Sequence, residues 1–200
     1  MTSGSIMPFE ERRRDEALDV LAEAYRIDPW HAVWFGGVGP DRLPINRRWL
    51  AYLLDHPCKG EKKILVHDGA IVGFAHWQAS SGREPPPDEA SRKAIVEALG
   101  KDALGRMAPL LAAFRDHAPH EPHIRFGPIA VHPSLQGKGL GGALMASFCE
   151  HVDRANAMSW LETSKPENVR FYAKFGFDVV HDLDIEGLRA WFMRRPKQAG

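Results

Sequence analysis

The densest chemical signal in this 200-residue chain is Gln136-Gly137-Lys138-Gly139-Leu140-Gly141-Gly142. The apolar run Ile129-Ala130-Val131 leads into it through His132-Pro133-Ser134-Leu135. An apolar stripe with helical spacing follows it. Glycines let a ligand approach the backbone, and free N–H groups at a helix start attract anions such as phosphate. A ligand-free loop with glycine caps is the plainer alternative, but so many glycines would weaken a helix start without return. Gly137, Gly139 and Gly142 match the G-x-G-x-x-G dinucleotide spacing, and Glu162 stands about 20 residues on, where a ribose-binding acid is expected. The context does not match. In that motif the first glycine follows its strand almost directly, whereas His132 to Gln136 intervene here. Too little chain remains after Gly142 for the rest of two mononucleotide-binding halves. A Walker loop fails too, because Gly139 rather than Ser or Thr follows Lys138.

Other residues able to do chemistry are scattered. Asn168 and Tyr172 are four apart, so on a helix they share a face; Phe171 and Phe175 share another, which reads as core. His117, His120 and His123 are spaced by three, but Pro119 and Pro122 break any helix there and no cysteine completes a set, so no metal is expected. His123 and His132 are minor alternatives as proton carriers. Cys58 and Cys149 fall in different elements with no pairing signal, so reduced thiols are expected.

Elements that could position these residues follow from periodicity and punctuation. Helices are predicted over 11–26, 41–54, 88–99, 109–117, 140–156 and 165–175. Pro109 suits a first helical turn. The helix at 140–156 carries Leu140, Leu144, Phe148 and Val152 at steps of four. Ser164, three residues before Glu167, predicts a capping box for 165–175, and Gly176 its stop. Strands are predicted at 63–67 and 71–77 around the hairpin signal Asp68-Gly69, then at 124–131, 159–163, 177–185 and 189–193. Ile6 to Phe9 is a weak candidate for a first strand. The order implies one layered α+β (α/β) domain over 1–200.

Composition sets wide limits. Lys plus Arg and Asp plus Glu are both 26, and this zero net charge argues against nucleic acid as a partner. Hydrophobic residues make up 44% and charged residues 26%, ordinary for a globular domain. A domain this long buries roughly 70% of its unfolded surface, so it needs no disulfide or metal staple. Apolar runs are too short to span a membrane, and Met1 to Glu10 lacks a secretory pattern, so a cytoplasmic location is expected.

Gln136-x-x-Gly139-x-Gly141 after a strand and a Pro-containing turn resembles the acetyl-CoA pyrophosphate loop of the GNAT acetyltransferase superfamily. A second block, Leu161-Glu162-Thr163-Ser164 through Asn168, Phe171-Tyr172 and Gly176-Phe177, is similar to that superfamily's later strand and helix. It looks most like the puromycin N-acetyltransferase group, as does Glu121-Pro122 before its strand. The resemblance is specific from about Glu121 to Met193, which marks the acetyl-CoA-binding core. It implies a mixed, mostly antiparallel central sheet flanked by helices.

It also implies roles. The N–H groups of Gln136, Gly137, Lys138, Gly139, Leu140, Gly141 and Gly142 would bind the pyrophosphate. The backbone of Ile129, Ala130 and Val131, beside two splayed strands, would pair with the pantetheine arm, with Asn168 also on that arm. Tyr172 would protonate the leaving thiolate; its alternative is a half-buried ring in packing. Glu162 would accept the amine's proton, directly or through water; its alternatives are a structural cap and an ion pair with an arginine. Trp30, His31, Trp34 and Phe35, at the end of the first helix, would border an acceptor pocket suited to an aromatic amine or form a core cluster. The implied reaction is transfer of acetyl from acetyl-CoA to a primary amine of a small molecule in a ternary complex. No metal takes part, and either a monomer or a homodimer serves. A protein or peptide N-terminal acetyltransferase and a non-catalytic acyl-CoA sensor are the alternatives.

Overall fold

The structure is a computed structural model that describes residues 4–37, 40–55, 60–82 and 85–198. Cys58 lies outside the described residues. Among the described residues seven strands form one sheet: β1 (Ser5–Pro8), β2 (Gly60–His67), β3 (Ala70–Ser80), β4 (His123–Val131), β5 (Ser159–Thr163), β6 (Asp178–Ile185) and β7 (Leu188–Arg195). Their order is β1-β2-β3-β4-β5-β7-β6, and only β4 and β5 run parallel. The α-helices of the described residues that cover it are α1 (Arg14–Ala24), α2 (Pro29–Trp34), α3 (Leu43–Asp55), α4 (Glu89–Leu99), α5 (Lys101–His117), α6 (Leu140–Arg154) and α7 (Pro166–Ala173). This is the layered α+β domain with a mostly antiparallel sheet expected from the sequence.

Strand alternation divides the core in two. One face presents Phe74, Ala130, Trp160 and Phe192 to α1, α3, α4 and α5, which bury Leu18, Leu21, Leu50, Ile95 and Met107 against them. The other presents Ala75, Trp77, Phe126, Leu161 and Met193 to Leu144, Met145, Phe148 and Val152 of α6. The four-residue stripe of α6 is thus wholly buried, each such side chain contributing about 1.5–3 kcal/mol. Cys149, partly buried on α6, is free, and burial pushes its thiol up.

One irregularity shapes the centre of the sheet. Ala75 pairs with Ile129 and Trp77 with Phe126, so β4 holds one residue more than β3 across this stretch. The extra residue is a bulge at Gly127-Pro128, where Gly127 takes φ +129° and its carbonyl accepts from His76 Nδ1 at 3.1 Å. Bulges bend their strand and end pairing. β4 pairs with β5 only at Ile124–Ser159 and Arg125–Trp160, and beyond the bulge the two strands part.

Three expectations are corrected. Pro109 lies inside α5, which begins at Lys101. Burial of Ala103, Met107 and Leu110 against the sheet side carries the helix through the proline, an override of local preference by packing. The Ser164 capping box does not form: Lys165 is the N-cap of α7 without a side-chain cap, and the Ser164 hydroxyl donates to Asp28 Oδ2 at 3.3 Å instead. The aromatic cluster at 30–35 does not end the first helix. It sits on the separate helix α2, started by Asp28, which accepts from the N–H groups of Trp30 and His31, and by Pro29 in the first turn.

Candidate active site

Where β4 and β5 part, a cleft of about 320 Å³ opens, lined by Tyr25, Ile129 to Val131, Gln136, Asn168 and Tyr172. The glycine-rich turn lies at its mouth. Gly139 is the N-cap of α6 in the left-handed region at φ +84°, and Gly137 has φ +76°. A Cβ added at either would meet no atom within 4 Å, so ligand atoms can reach the backbone there. The first N–H groups of α6 have no intrahelical acceptor. Gln136 turns its side chain back, donating from Nε2 to the Val131 carbonyl at 2.9 Å, and so fastens the turn to the end of β4. Lys138 is exposed. These features fit a chain-like ligand with an anionic end: a strand edge for amides to pair with, then a backbone cradle for phosphates.

Helix α7 supplies two residues. Asn168 donates to Thr163 Oγ1 at 3.0 Å, tying α7 to the end of β5. Tyr172 is 5% exposed and packs edge-on to Phe126. Burial, then the charge of Asp28, pushes the Tyr172 hydroxyl well above the ordinary tyrosine range. Phe171, assigned to the core from its spacing, also lines the cleft, 3.6 Å from the position a Gly141 Cβ would take.

Glu162 has a side chain only 6% exposed and sits between the cleft and a second cavity. Its Oε2 accepts from Arg125 Nη2 at 3.1 Å and Nε at 3.4 Å, and its Oε1 from Trp160 Nε1 at 3.1 Å. A carboxylate has about four lone-pair sites. One site on Oε1 is left for a further donor. The ion pair therefore does not fill the carboxylate's accepting capacity.

Three lining residues escaped the sequence reading. Arg125 was visible as the one permanent cation in an otherwise apolar strand. Asp28, 7% exposed, was visible as an Asp-Pro helix start; besides capping α2 and binding Ser164 it lies 3.8 Å from Lys165 Nζ, joining α2 to the start of α7. Tyr25 lines the cleft beside Tyr172; burial chiefly, then the neighbouring Tyr172 and Asp28, pushes its hydroxyl up. Nothing local marked it.

His31 is buried, donates from Nδ1 to Asn46 Oδ1 at 2.9 Å, and stacks on Tyr25 and Trp34. With Trp34 and Phe35 it belongs to the core, whereas Trp30 lines the cleft. His117 packs on His181, His123 donates to the Glu121 carbonyl, and His120 is exposed. Among the described residues no group of three or more His, Cys, Asp or Glu could hold a metal. No described helix is long and apolar enough to cross a membrane.

Residues 24–177 match the sequence profile of the acetyltransferase (GNAT) family. A stretch of 142 residues is 34% identical to the tRNA(Met) cytidine acetyltransferase TmcA of Haloarcula marismortui; it covers 66% of this chain and 17% of that protein. The fold superposes on a Corynebacterium glutamicum histone acetyltransferase HPA2 and related acetyltransferase, with TM-score 0.76, 22% identity, and 99% and 98% of the two chains covered. It also superposes on a Brucella melitensis GNAT family acetyltransferase in complex with acetyl-CoA, with TM-score 0.56, 15% identity, and 100% and 91% covered.

Proposed function

The chain belongs to the acetyltransferase (GNAT) family, and on that premise we propose that it transfers acetyl from acetyl-CoA to the primary amine of a small molecule. The observation that carries this reading is the position of Glu162, whose buried carboxylate is shared by the cleft at the β4–β5 parting and a separate cavity of about 500 Å³. An acceptor in that cavity and a thioester in the cleft would meet at one proton-accepting group. In this reading the glycine-rich turn holds the pyrophosphate, and Ile129 to Val131 with Asn168 hold the pantetheine arm. Acetyl-CoA supplies the acetyl group as a thioester.

The chain's own residues move two protons. Glu162 takes one from the ammonium, leaving a neutral nitrogen. The nitrogen forms a bond to the acetyl carbon, the carbon–sulfur bond breaks, and Tyr172 gives its hydroxyl proton to the departing sulfur. The acylated nitrogen then loses a second proton and keeps the third as the amide N–H; Glu162 gives up the proton it took and Tyr172 regains one, so each turnover releases one proton to solvent. The products are the N-acetyl amine and the free thiol. Holding both partners in the splayed sheet supplies the orientation.

The likeness to TmcA, whose name assigns it a tRNA cytidine, favours a second reading in which the acceptor is a cytosine amine in RNA. Thiol release from acetyl-CoA, measured with monoamines, polyamines, peptides and a cytidine-containing oligoribonucleotide, separates the two. Release with a monoamine supports the first reading. Release with the oligoribonucleotide alone replaces it, and release with the peptide alone moves the acceptor to protein.

A further inference from the structure

The second cavity lies between the sheet and helices α3, α4 and α5, on the face that carries Glu162. Its walls are Trp49 from α3, Ile95 from α4 and Leu104, Leu111 and Phe114 from α5, with Trp160 of β5 beneath. Its volume of about 500 Å³ falls within the range that holds a small organic ligand. Glu162 is the sole carboxylate among the described lining residues, whereas Arg92, Arg115 and Arg125 all line it. Arg125 pairs with Glu162 and lies over the Phe114 ring at 5.9 Å; Arg115 pairs with Asp116.

We infer that the acceptor is a monoamine with an apolar, preferably aromatic, body, its amine at Glu162 and its body between Trp49, Ile95, Leu111 and Phe114. This rests on the amine acetyltransferase reading above and narrows its substrate class. A body of this kind gains by leaving water and by ring contact with Phe114 and the tryptophans. A polyamine would bring a second ammonium into a space whose described lining residues hold one carboxylate and three guanidinium groups, where like charge and desolvation both oppose it. A peptide would bring several backbone N–H donors against Trp49, Ile95, Leu104, Leu111 and Phe114, whose side chains accept no hydrogen bond.

The test uses 2-phenylethylamine, ethylamine, spermidine and a tripeptide as acceptors, with two readouts. Thiol release gives kcat/KM for each amine. Trp49 and Trp160 line the cavity, so tryptophan fluorescence reports amine binding without turnover. The expected result is a kcat/KM for 2-phenylethylamine at least about tenfold above those of ethylamine and spermidine, about 1.4 kcal/mol or more of transition-state binding. Saturable quenching by 2-phenylethylamine should accompany it. Leu111→Gln should lower kcat/KM for 2-phenylethylamine by about tenfold and so remove most of its preference over ethylamine. Ala108→Leu, which adds bulk at the cavity rim, is the second variant should Leu111→Gln fail to fold, and it should act in the same direction. Preference for spermidine or the tripeptide, with transfer intact, overturns the apolar acceptor and leaves the transferase reading standing. Thiol release with none of the acceptors, while acetyl-CoA still binds by calorimetry, overturns both.

Discussion

Arg125 Nη2 stands 3.1 Å from Glu162 Oε2, so a cation from β4 grips the carboxylate that β5 presents between the two cavities. The contact falls at the last rung before the strands part, where Arg125 pairs in register with Trp160. Glu162 is therefore held by its neighbours rather than by its own flexible stem, and one lone pair stays available. The arrangement allows base and anchor roles to be separated by experiment.

Glu162→Gln keeps the shape and removes the proton acceptor; its one oxygen can accept from Arg125 or from Trp160 but not from both, so Arg125→Gln is the control for the lost anchor. Turnover at neutral pH should fall by about 10²–10⁴. It should recover in part at high pH, where more of the acceptor is already a free amine. Arg125→Gln should lower turnover less, because it removes the anchor and leaves the proton acceptor in place. A Glu162→Gln protein with wild-type turnover, measured where chemistry limits the rate, reduces Glu162 to an anchor.

Tyr172→Phe deletes only a hydroxyl. Among the described residues no side chain or backbone group hydrogen-bonds it, so thermal unfolding should change by less than about 1 kcal/mol. Thiol release should drop by about 10²–10⁴, with a much smaller change in the Michaelis constant for acetyl-CoA. Burial and Asp28 raise the hydroxyl above its ordinary value, so the acid stays protonated as pH rises. The wild-type kcat should accordingly show no falling limb from this group up to about pH 10. Full turnover in Tyr172→Phe would leave the ring as packing alone.

Gly139 and Gly141 separate backbone strain from ligand approach. At Gly139 the φ of +84° penalises any side chain although the surroundings are open. Gly139→Val should cost at least about 1–2 kcal/mol in stability. Gly141→Ala places its Cβ at ordinary contact distance from Phe171 and Val131, so stability should hold. Both should weaken acetyl-CoA binding by about tenfold or more in calorimetry, equivalent to about 1.4 kcal/mol. Unchanged binding in both variants removes the turn from the cofactor site.

His31 and His76 titrate the fold. Burial is the largest cause at each and lowers both below the ordinary histidine value. Below about pH 6.5 the unfolded chain then binds more protons than the folded one, so stability falls as pH drops through the window between unfolded and folded values. Above that window both states are neutral and the dependence vanishes. Denaturant unfolding from pH 8 to pH 5 should show this decline, and His31→Gln should flatten it. An unchanged slope in the variant would assign the decline to other groups.

Much of the fold is legible in the chain because its signals are local. The stripe Leu140, Leu144, Phe148 and Val152 reads as one helix face at any tertiary position. Asp68 and Gly69 both take positive φ, as a tight hairpin between twisted strands requires. The glycines at 137 and 139 announce an open backbone for the same reason, since few other residues accept that conformation.

What the chain did not disclose depends on which strands and helices meet. The proline at 109 reads as a helix start by local preference, and only the burial of Ala103, Met107 and Leu110 overrides it. Ser164 has a capping partner in sequence, yet its hydroxyl turns to Asp28, 136 residues away, once α2 lies against the start of α7. The parting of β4 from β5 follows from a bulge at Gly127-Pro128, a pair that marks a break in the strand but not the direction of the bend. Residue types and spacing thus determined which groups were on offer: a glycine-rich turn at a helix start, a tyrosine and a carboxylate. Tertiary structure decided that the carboxylate faces two cavities and is held by Arg125, because the approach of residues 37 apart is set by strand order and register, which no local propensity encodes.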